Sequence, residues 1–198
     1  MDYVLGIDIG GTSIKGAIVN KEGKVLTDAF SFPIIKKENQ VDTINRLCST
    51  VKSYLKDNSE YVIEGIGIGI PGSLDTEKGV VIFSNNLCWE NLPIVDIFKK
   101  HFSLPIRITN DANAAALGEN RFGAGKEYQD MIMITLGTGV GGGIIDNHKL
   151  IEGYQGKGAE LGHTVIRMNG RKCSCGRKGC LEQYASATAL IRMTNEMM

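Results

Sequence analysis

The N-terminal part of the chain reads as a series of short apolar runs followed by one longer periodic stretch. The apolar runs cover residues 3–9, 14–20 and 25–32, and the Gly-rich and polar turns between them predict a meander of three strands. Residues 41–55 then place apolar side chains at spacings of three, one, three, three and one, which is the pattern of an amphipathic helix. The chain is therefore predicted to begin with a three-stranded unit followed by a helix.

In the middle of the chain, the residue pattern changes from a helical period to an alternation of period two. Residues 63–72, IEGIGIGIPG, alternate isoleucine and glycine, which predicts a strand with bulky side chains on one face and room for close approach on the other. A further short strand at 106–111, IRITND, leads into the Ala-rich segment 112–121, which is predicted to be a helix. Asn110 and Asp111 are thereby placed where a strand ends and a helix begins.

The pattern of the first meander returns in the second half of the chain. Residues 131–153, MIMITLGTGVGGGIIDNHKLIEG, read as strand, glycine turn, strand, polar turn and strand. The segment GIDIGGTSIKGAIVNKEGKVL, residues 6–26, has the same order of an apolar strand, a Gly-Thr turn and a returning strand. We interpret this as an internal structural repeat whose two related halves face each other across a cleft.

Composition and charge exclude several classes of function. The 22 basic and 22 acidic residues balance, so the basic excess expected of a nucleic-acid-binding protein is absent and no nucleic-acid partner is predicted. No apolar run approaches the about 18 residues of a membrane span, and none at the N-terminus has the length of a signal peptide. An odd number of cysteines without a secretion signal favours a reducing compartment, which predicts a cytoplasmic protein.

Two glycine turns at equivalent points of the repeat are candidates for binding phosphate. Their members are Gly10, Gly11, Thr12, Gly137, Thr138 and Gly139. Glycine lets a phosphate approach backbone N–H groups without a Cβ clash, and threonine adds a hydroxyl donor. Neither turn matches the P-loop or the dinucleotide fingerprint, and each turn taken alone is better explained as a tight hairpin. Together they favour a phosphate clamp, with Asp8 either holding Mg²⁺ through water or capping the first turn.

Six motifs occur in the order found in the ROK family. They are DIGGTSIKGAIV, GIGIPG, NDANAAALGE, LGTGVGGG, GAELGH and CSCGRKGCLE. Over residues 4–188 the chain resembles this family of ATP-dependent sugar kinases and sugar-responsive repressors. The resemblance implies an α/β fold of the actin-like, ribonuclease-H-like, two-lobed kind with ATP and sugar in the cleft. It implies an N-terminal lobe at 1–110 and a C-terminal lobe at 111–198, and we expect the last part of the second lobe to be missing.

The resemblance assigns catalytic and sugar-binding roles near the predicted strand–helix junction. Asp111 is the expected base that accepts the proton of a sugar hydroxyl, since a helix N-terminus favours its ionised form. From the residues alone, a helix cap is the alternative. Asn110 would hold a neighbouring sugar hydroxyl, and Gly72 would bring backbone close to the sugar. Trp89, the only tryptophan, is predicted to pack in the protein rather than to stack on the sugar.

One histidine and three cysteines form a candidate metal site. His163, Cys173, Cys175 and Cys180 follow the spacing H-x9-C-x-C-x4-C. Four ligands of these kinds fit a closed tetrahedral zinc site, and the main alternative is a redox pair of neighbouring thiols. A closed site has no open position for a reactive water, so the zinc is expected to be structural.

The metal site also bears on sugar recognition. If zinc binds one ring nitrogen of His163, the ring is fixed and its other nitrogen can reach a sugar hydroxyl. By resemblance to the family, Glu160, His163 and Glu182 all touch the sugar.

The expected function is transfer of the γ-phosphoryl group of ATP to the 6-hydroxyl of a hexose. Glucose is the first choice because the GAELGH and CLE elements are intact. The expected partners are sugar and ATP without nucleic acid or membrane, and homodimer formation is left open. A repressor of the same family, which would carry a DNA-reading domain before the first strand, is one alternative. A non-catalytic sugar-binding protein is another, against which Asp111 argues.

Overall fold

A five-stranded mixed sheet forms the centre of the first half of the chain. In the computed structural model, which describes residues 3–35, 37–156 and 158–198, the chain divides into two units, Met1–Ala114 and Ala115–Met198. The elements of the first unit are β1 Tyr3–Ile9, β2 Ser13–Asn20, β3 Phe30–Pro33, α1 Gln40–Asp57, β4 Ile63–Ile70, β5 Ser73–Asp75, β6 Val80–Ser84, β7 Trp89–Leu92, α2 Ile94–Lys99 and β8 Ile106–Asn110. Helix α3, Asp111–Phe122, follows directly.

The central sheet has the strand order β3-β2-β1-β4-β8. The β1–β2 and β2–β3 pairs are antiparallel, whereas β4 pairs in parallel with both β1 and β8. Alternate residues of β1, namely Leu5, Ile7 and Ile9, are at most 4% exposed and belong to the main core. The parallel strands β1, β4 and β8 therefore end at one edge of the sheet, with an apolar layer beneath them.

The predicted amphipathic helix is present as α1, two residues longer at its C-terminal end than the pattern predicts. The side chain of Asn39 caps it by accepting a hydrogen bond from the N–H of Val41 at 2.8 Å. The buried face carries Ile44, Leu47 and Cys48. Cys48 is a free thiol, as predicted, and burial raises its pKa to about 12. This thiol is therefore protonated and unreactive at neutral pH.

The third strand of the meander is shorter than predicted. The apolar run suggested a strand over 25–32, but β3 begins only at Phe30. Before it, the hydroxyl of Thr27 accepts the hydrogen bond of the Ile18 N–H at 3.1 Å. The prediction was wrong here because a side-chain oxygen replaces a backbone partner and interrupts the ladder.

A small sheet of three strands, in the order β5-β6-β7, was not predicted from the sequence. Its strands have three to five residues, which is too short for a clear periodic signal. Trp89 lies in β7 and is only 3% exposed, which confirms its predicted packing role. Cys88, just before it, is an exposed free thiol in the predicted loop.

The second unit begins with the predicted repeat of the meander. Its elements after α3 are β9 Met131–Leu136, β10 Val140–Asp146, β11 Lys149–Leu150, two 3₁₀ turns η1 Tyr154–Gly156 and η2 Leu161–His163, and the helices α4 Glu182–Ala185 and α5 Ala187–Met197. The antiparallel order β11-β10-β9 repeats the order β3-β2-β1. Within the described residues, no helix is both long and apolar enough to cross a membrane.

Candidate active-site residues and metal centre

Four predicted site residues lie at one edge of the central sheet of the first unit. Asp8 is the last residue but one of β1, Gly72 comes two residues after β4, and Asn110 ends β8. Asp111 begins α3 directly afterwards. Because these three strands are parallel neighbours, their carboxyl ends meet at the same edge, where α/β sheets typically bind ligands. The fold thus gathers residues that are about a hundred positions apart in the sequence.

Asn110 supplies the N-cap of α3. Its Oδ1 accepts hydrogen bonds from the backbone N–H groups of Ala112 at 2.9 Å and Asn113 at 3.3 Å. Its Nδ2 donates to the carbonyl oxygen of Gly72 at 3.3 Å, which ties the helix start to the end of β4. Asp111 shares the Ala112 N–H at 2.9 Å but is exposed. The cap is therefore formed mainly by Asn110, and the Asp111 carboxylate stays accessible to solvent.

Asp8 lies in an unfavourable charge environment. Its pKa is raised above the ordinary value, first because surrounding protein displaces water from the carboxylate and second because Asp111 carries a like charge. Lys15, its cross-strand partner in the β1–β2 hairpin, partly opposes this increase in the pKa. Two repelling carboxylates form a setting that a divalent cation would stabilise.

Gly72 is a position that only glycine can fill. Its φ is +118°, and a Cβ there would lie 2.3 Å from the carbonyl oxygen of Phe83. The left-handed backbone and this contact with β6 both require the absence of a side chain. The close approach of the Gly72 backbone to a sugar stays a prediction.

Both glycine turns are closed by their own backbone. The Gly10 N–H donates to the Ser13 carbonyl at 2.9 Å, and the Gly137 N–H donates to the Gly139 carbonyl at 3.0 Å. Other backbone N–H groups of the turns have no acceptor among the residues that the structure describes; they belong to Gly11, Thr12, Thr138 and Gly139. Such N–H groups are the donors that an anion can use.

The four predicted metal ligands converge in the second unit. The ligand atoms of His163, Cys173, Cys175 and Cys180 all lie within 4.8 Å of one another. Cys175 Sγ is 3.6 Å from Cys180 Sγ, and Cys173 Sγ is 3.5 Å from His163 Nδ1. Zinc–sulfur bonds of about 2.3 Å in a tetrahedron place two sulfurs about 3.8 Å apart. The donor set and its spacing therefore fit a tetrahedral zinc ion.

The orientation of His163 agrees with this donor set. Its Nδ1 is the ring nitrogen nearest to Cys173, so Nδ1 would be the ligand atom and Nε2 would remain for another partner.

The segment around the cysteines folds back tightly on itself. Gly176 and Gly179 have φ values of +87° and +79°, and a Cβ at Gly179 would lie 1.7 Å from the carbonyl oxygen of Arg167. The Cys173 N–H donates to the Arg177 carbonyl at 2.9 Å, which closes the loop that carries Cys175. The glycines of CSCGRKGC thus allow the chain to surround one point.

Arg177 favours the thiolate form of one cysteine. A hydrogen bond from its backbone N–H, assisted by its side chain, lowers the pKa of Cys175 to about 6, whereas burial raises the pKa of Cys180. Thiolate is the form that binds metal. This role of Arg177 was not predicted from the sequence, although an arginine between the cysteines is a usable signal. All five cysteines are free, so the redox alternative is not realised as a disulfide in this structure.

Glu160 directly precedes η2 and His163 is its last residue, and η2 packs against β10. The His163 N–H donates to the Glu160 carbonyl at 3.0 Å. A Cβ at Gly142 of β10 would lie 2.7 Å from the carbonyl oxygen of Ala159, so this contact requires a glycine. The strand that leaves the second glycine turn therefore supports the segment carrying Glu160 and His163.

Glu182 contacts the second glycine turn, which the sequence did not predict. Its Oε2 accepts a hydrogen bond from the N–H of Val140 at 3.1 Å. A Cβ at Gly139 would lie 2.5 Å from the same oxygen. The two residues of this bond are 42 positions apart, and no local pattern could indicate it.

Comparison with known proteins identifies the family. The family model described as "ROK family" matches residues 4–197. The chain belongs to the ROK family. The mixed α/β architecture described above is the actin-like fold of ROK sugar kinases.

Relatives within the ROK family include both enzymes and regulators. The chain is 41% identical over 194 residues to a glucokinase of Thermotoga maritima, with 98% of this chain and 60% of that protein covered. It is 36% identical to the xylose repressor of Bacillus subtilis, with 96% and 49% covered. A crystal structure of a ROK glucokinase from Streptomyces griseus, in complex with glucose and AMPPNP, superposes with a TM-score of 0.84 at 40% identity, with 98% and 60% covered. The chain thus spans about 60% of the length of these glucokinases.

Proposed function

We propose that this ROK chain forms part of an ATP-dependent sugar kinase that phosphorylates a hexose, with glucose as the first candidate and its 6-hydroxyl as the acceptor. The observation that carries the proposal is the exposed Asp111 carboxylate beside Asn110, at the carboxyl ends of three parallel strands. The similarity to a glucokinase solved with glucose and an ATP analogue supports the same function.

Asp111 serves as the general base in this proposal. The carboxylate accepts the proton of the sugar hydroxyl, the hydroxyl oxygen forms a bond to the γ-phosphorus, and the bond from that phosphorus to the departing ADP oxygen breaks. Asn110, held by its cap and by Gly72, keeps a neighbouring hydroxyl in place. An accessible carboxylate is needed here, because a base must come within hydrogen-bond distance of the proton that it removes.

The phosphate groups are bound by the two glycine turns. The N–H groups without acceptors in each turn, together with the hydroxyls of Thr12 and Thr138, provide donors for phosphate oxygens. Asp8 would hold Mg²⁺ through water, and this ion would neutralise charge on the phosphates and on the carboxylates.

Sugar-contacting residues are proposed for each unit by itself. Gly72 and Asn110 lie in the first unit, and Glu160, His163 and Glu182 lie in the second. Carboxylates accept hydrogen bonds from sugar hydroxyls, and when His163 Nδ1 binds zinc, the protonated Nε2 can donate a hydrogen bond to a sugar oxygen. Zinc would be held by His163, Cys173, Cys175 and Cys180 in a structural role. The free state of the cysteines supports the reducing, cytoplasmic location that we propose.

The test is an ADP-release assay over a panel of hexoses, made on the natural full-length protein. Asp111→Asn is expected to lower kcat by about 10²–10⁴-fold, because the base is lost while the shape is kept. Glucose binding, measured by calorimetry, should change little. Asp96→Asn provides a matched control, since Asp96 is also exposed in the first turn of a helix. Turnover by Asp111→Asn at the normal rate would remove Asp111 from the mechanism.

A second candidate function is sugar sensing without phosphoryl transfer, and the xylose repressor of Bacillus subtilis supports it. In that case the protein would bind xylose or glucose but release no ADP with any sugar of the panel. The same assay, combined with sugar-binding calorimetry, therefore separates the two functions.

A further inference from the structure

Val140 is the point at which the second glycine turn ends and β10 begins. Both of its backbone polar groups face residues of the metal-binding segment, by which we mean residues 162–183. Its N–H donates to Glu182 Oε2 at 3.1 Å. Its carbonyl oxygen lies against Gly162, where an added Cβ would come within 2.0 Å of that oxygen. The residue that directly follows the turn is thus contacted from two sides.

The two contacting residues lie within two positions of metal ligands in the sequence. Gly162 precedes His163, and Glu182 follows Cys180 by two residues. Backbone hydrogen bonds join the segments that carry them, from Leu181 to the Thr164 carbonyl at 2.9 Å and from Ile166 to the Gly179 carbonyl at 2.9 Å. A metal ion bound by both segments would keep the two contacts of Val140 at a fixed separation.

The rest of the turn is also held by residues that follow the metal ligands. The Ala187 N–H donates to the Gly137 carbonyl at 2.9 Å. The Thr188 hydroxyl donates to the Thr138 carbonyl at 2.8 Å. Carbonyl oxygens that accept these bonds are directed toward the helices, and the turn backbone is therefore oriented by residues 182–188.

We propose that the metal centre positions the second glycine turn, and that Glu182 is the positioning residue that connects the two. The functional meaning of this connection rests on the proposed phosphate-binding role of the turn. The metal then supports the phosphate side of the site as well as the sugar side. This role does not exclude contact of Glu182 with a sugar, because a carboxylate has two oxygens and several acceptor positions.

The connection can be measured by amide hydrogen exchange in the absence of nucleotide and sugar. In the zinc-loaded protein, Glu182→Ala should speed exchange at Val140 by about tenfold or more, as expected when a hydrogen bond to a charged group is lost. All four metal ligands are retained in this variant, so about one zinc per chain should remain. Glu182→Gln keeps an oxygen acceptor and should restore most of the protection.

Removal of zinc from the unsubstituted protein should speed exchange at Val140 to a similar extent. In Glu182→Ala, zinc removal should add little at this amide, because the connection is already broken. Gly10 of the first turn, whose N–H donates to the Ser13 carbonyl, serves as an internal control and should not respond. Glu196→Ala is the matched variant, since Glu196 lies in the same unit but pairs with Arg171 instead.

Unchanged exchange at Val140 in zinc-loaded Glu182→Ala would overturn the proposal, even if the metal-free protein unfolds. If zinc removal speeds exchange at Val140 as much in Glu182→Ala as in the unsubstituted protein, Glu182 does not connect the metal centre to the turn. Titration of the same proteins with MgAMPPNP tests the proposed function separately. A turn that responds to zinc without binding MgAMPPNP would contradict phosphate binding and leave the positioning role intact.

Discussion

The two copies of the repeated hairpin share a sequence pattern but are stabilised in different ways. In β1, the alternating side chains Leu5, Ile7 and Ile9 are at most 4% exposed. The equivalent residues of β9, counted back from the glycine turn, are Ile132, Ile134 and Leu136, which are 51–66% exposed. The same local pattern therefore produces a buried strand in one unit and an exposed apolar face in the other.

The difference comes from the segments that follow each hairpin. After β3, the chain forms α1 and β4, which bury one face of β1 and pair with its free edge. After β11, the chain passes into η2 and the metal-binding segment, which support β10 and the glycine turn instead. Apolar burial holds the first hairpin in place, whereas hydrogen bonds and a candidate metal centre hold the second.

Metal removal should give the largest difference between the two regions. Structural zinc contributes an apparent free energy of about 10 kcal/mol or more in small zinc-binding domains. Chelation should therefore make residues 163–183 sensitive to protease while the first unit keeps its resistance. Limited proteolysis with mass spectrometry, alongside elemental analysis, would measure this. If both units became equally sensitive to protease after zinc loss, the proposed difference in how the two hairpins are stabilised would be wrong.

Truncation of equivalent isoleucines should give the next largest difference. Ile7→Ala removes a side chain that is 4% exposed, and we expect the free energy of unfolding to fall by about 2–5 kcal/mol. Ile134→Ala, at 51% exposure, should change it by about 0.5 kcal/mol. Urea denaturation of both variants gives the comparison, and similar losses would show that β9 is buried in solution.

The equivalent glycines Gly16 and Gly142 separate packing from metal binding. A Cβ at Gly16 would meet the Phe30 ring at 2.5 Å, and a Cβ at Gly142 would meet the Ala159 carbonyl oxygen at 2.7 Å. Either substitution to alanine should cost about 1–3 kcal/mol of stability through overpacking.

Only Gly142→Ala should also weaken zinc binding, because η2 carries the ligand His163. Competition with a chromophoric chelator measures this affinity. A loss of zinc affinity in Gly16→Ala as well would show that the loss in Gly142→Ala does not arise from its local contact with the segment that carries His163.

The smallest effect should come from Asp8, whose counterpart in β9 is the uncharged Thr135. The pKa of Asp8 is raised in the folded protein, so its ionised form destabilises the fold at neutral pH. Asp8→Asn should therefore increase the free energy of unfolding at pH 7. The gain should disappear as the pH falls below the ordinary pKa of 3.8, where both states bind the proton. Denaturation at several pH values, with Thr135→Val as control, tests the sign.

Much of the fold could be predicted because its elements follow from the local spacing of apolar residues. The period of α1, the alternation of β1 and β4, and the Asn110–Asp111 junction all appear in short windows of sequence. The small sheet β5-β6-β7 was missed because its strands are too short to show a period. The predicted start of β3 was wrong because the Ile18 N–H donates to the Thr27 hydroxyl instead of to a backbone carbonyl, which interrupts the ladder.

The sequence by itself determined the hairpin repeat, the glycine turns, and the kinds and spacing of the metal ligands, because backbone freedom and ligand chemistry are properties of residue type. Only the tertiary structure decided that Glu182 contacts Val140, that Asn110 rather than Asp111 chiefly caps α3, and that β9 is exposed while β1 is buried. These features depend on which distant segment covers each residue. A local pattern shows which face of an element is apolar, but it does not identify the segment that packs against that face.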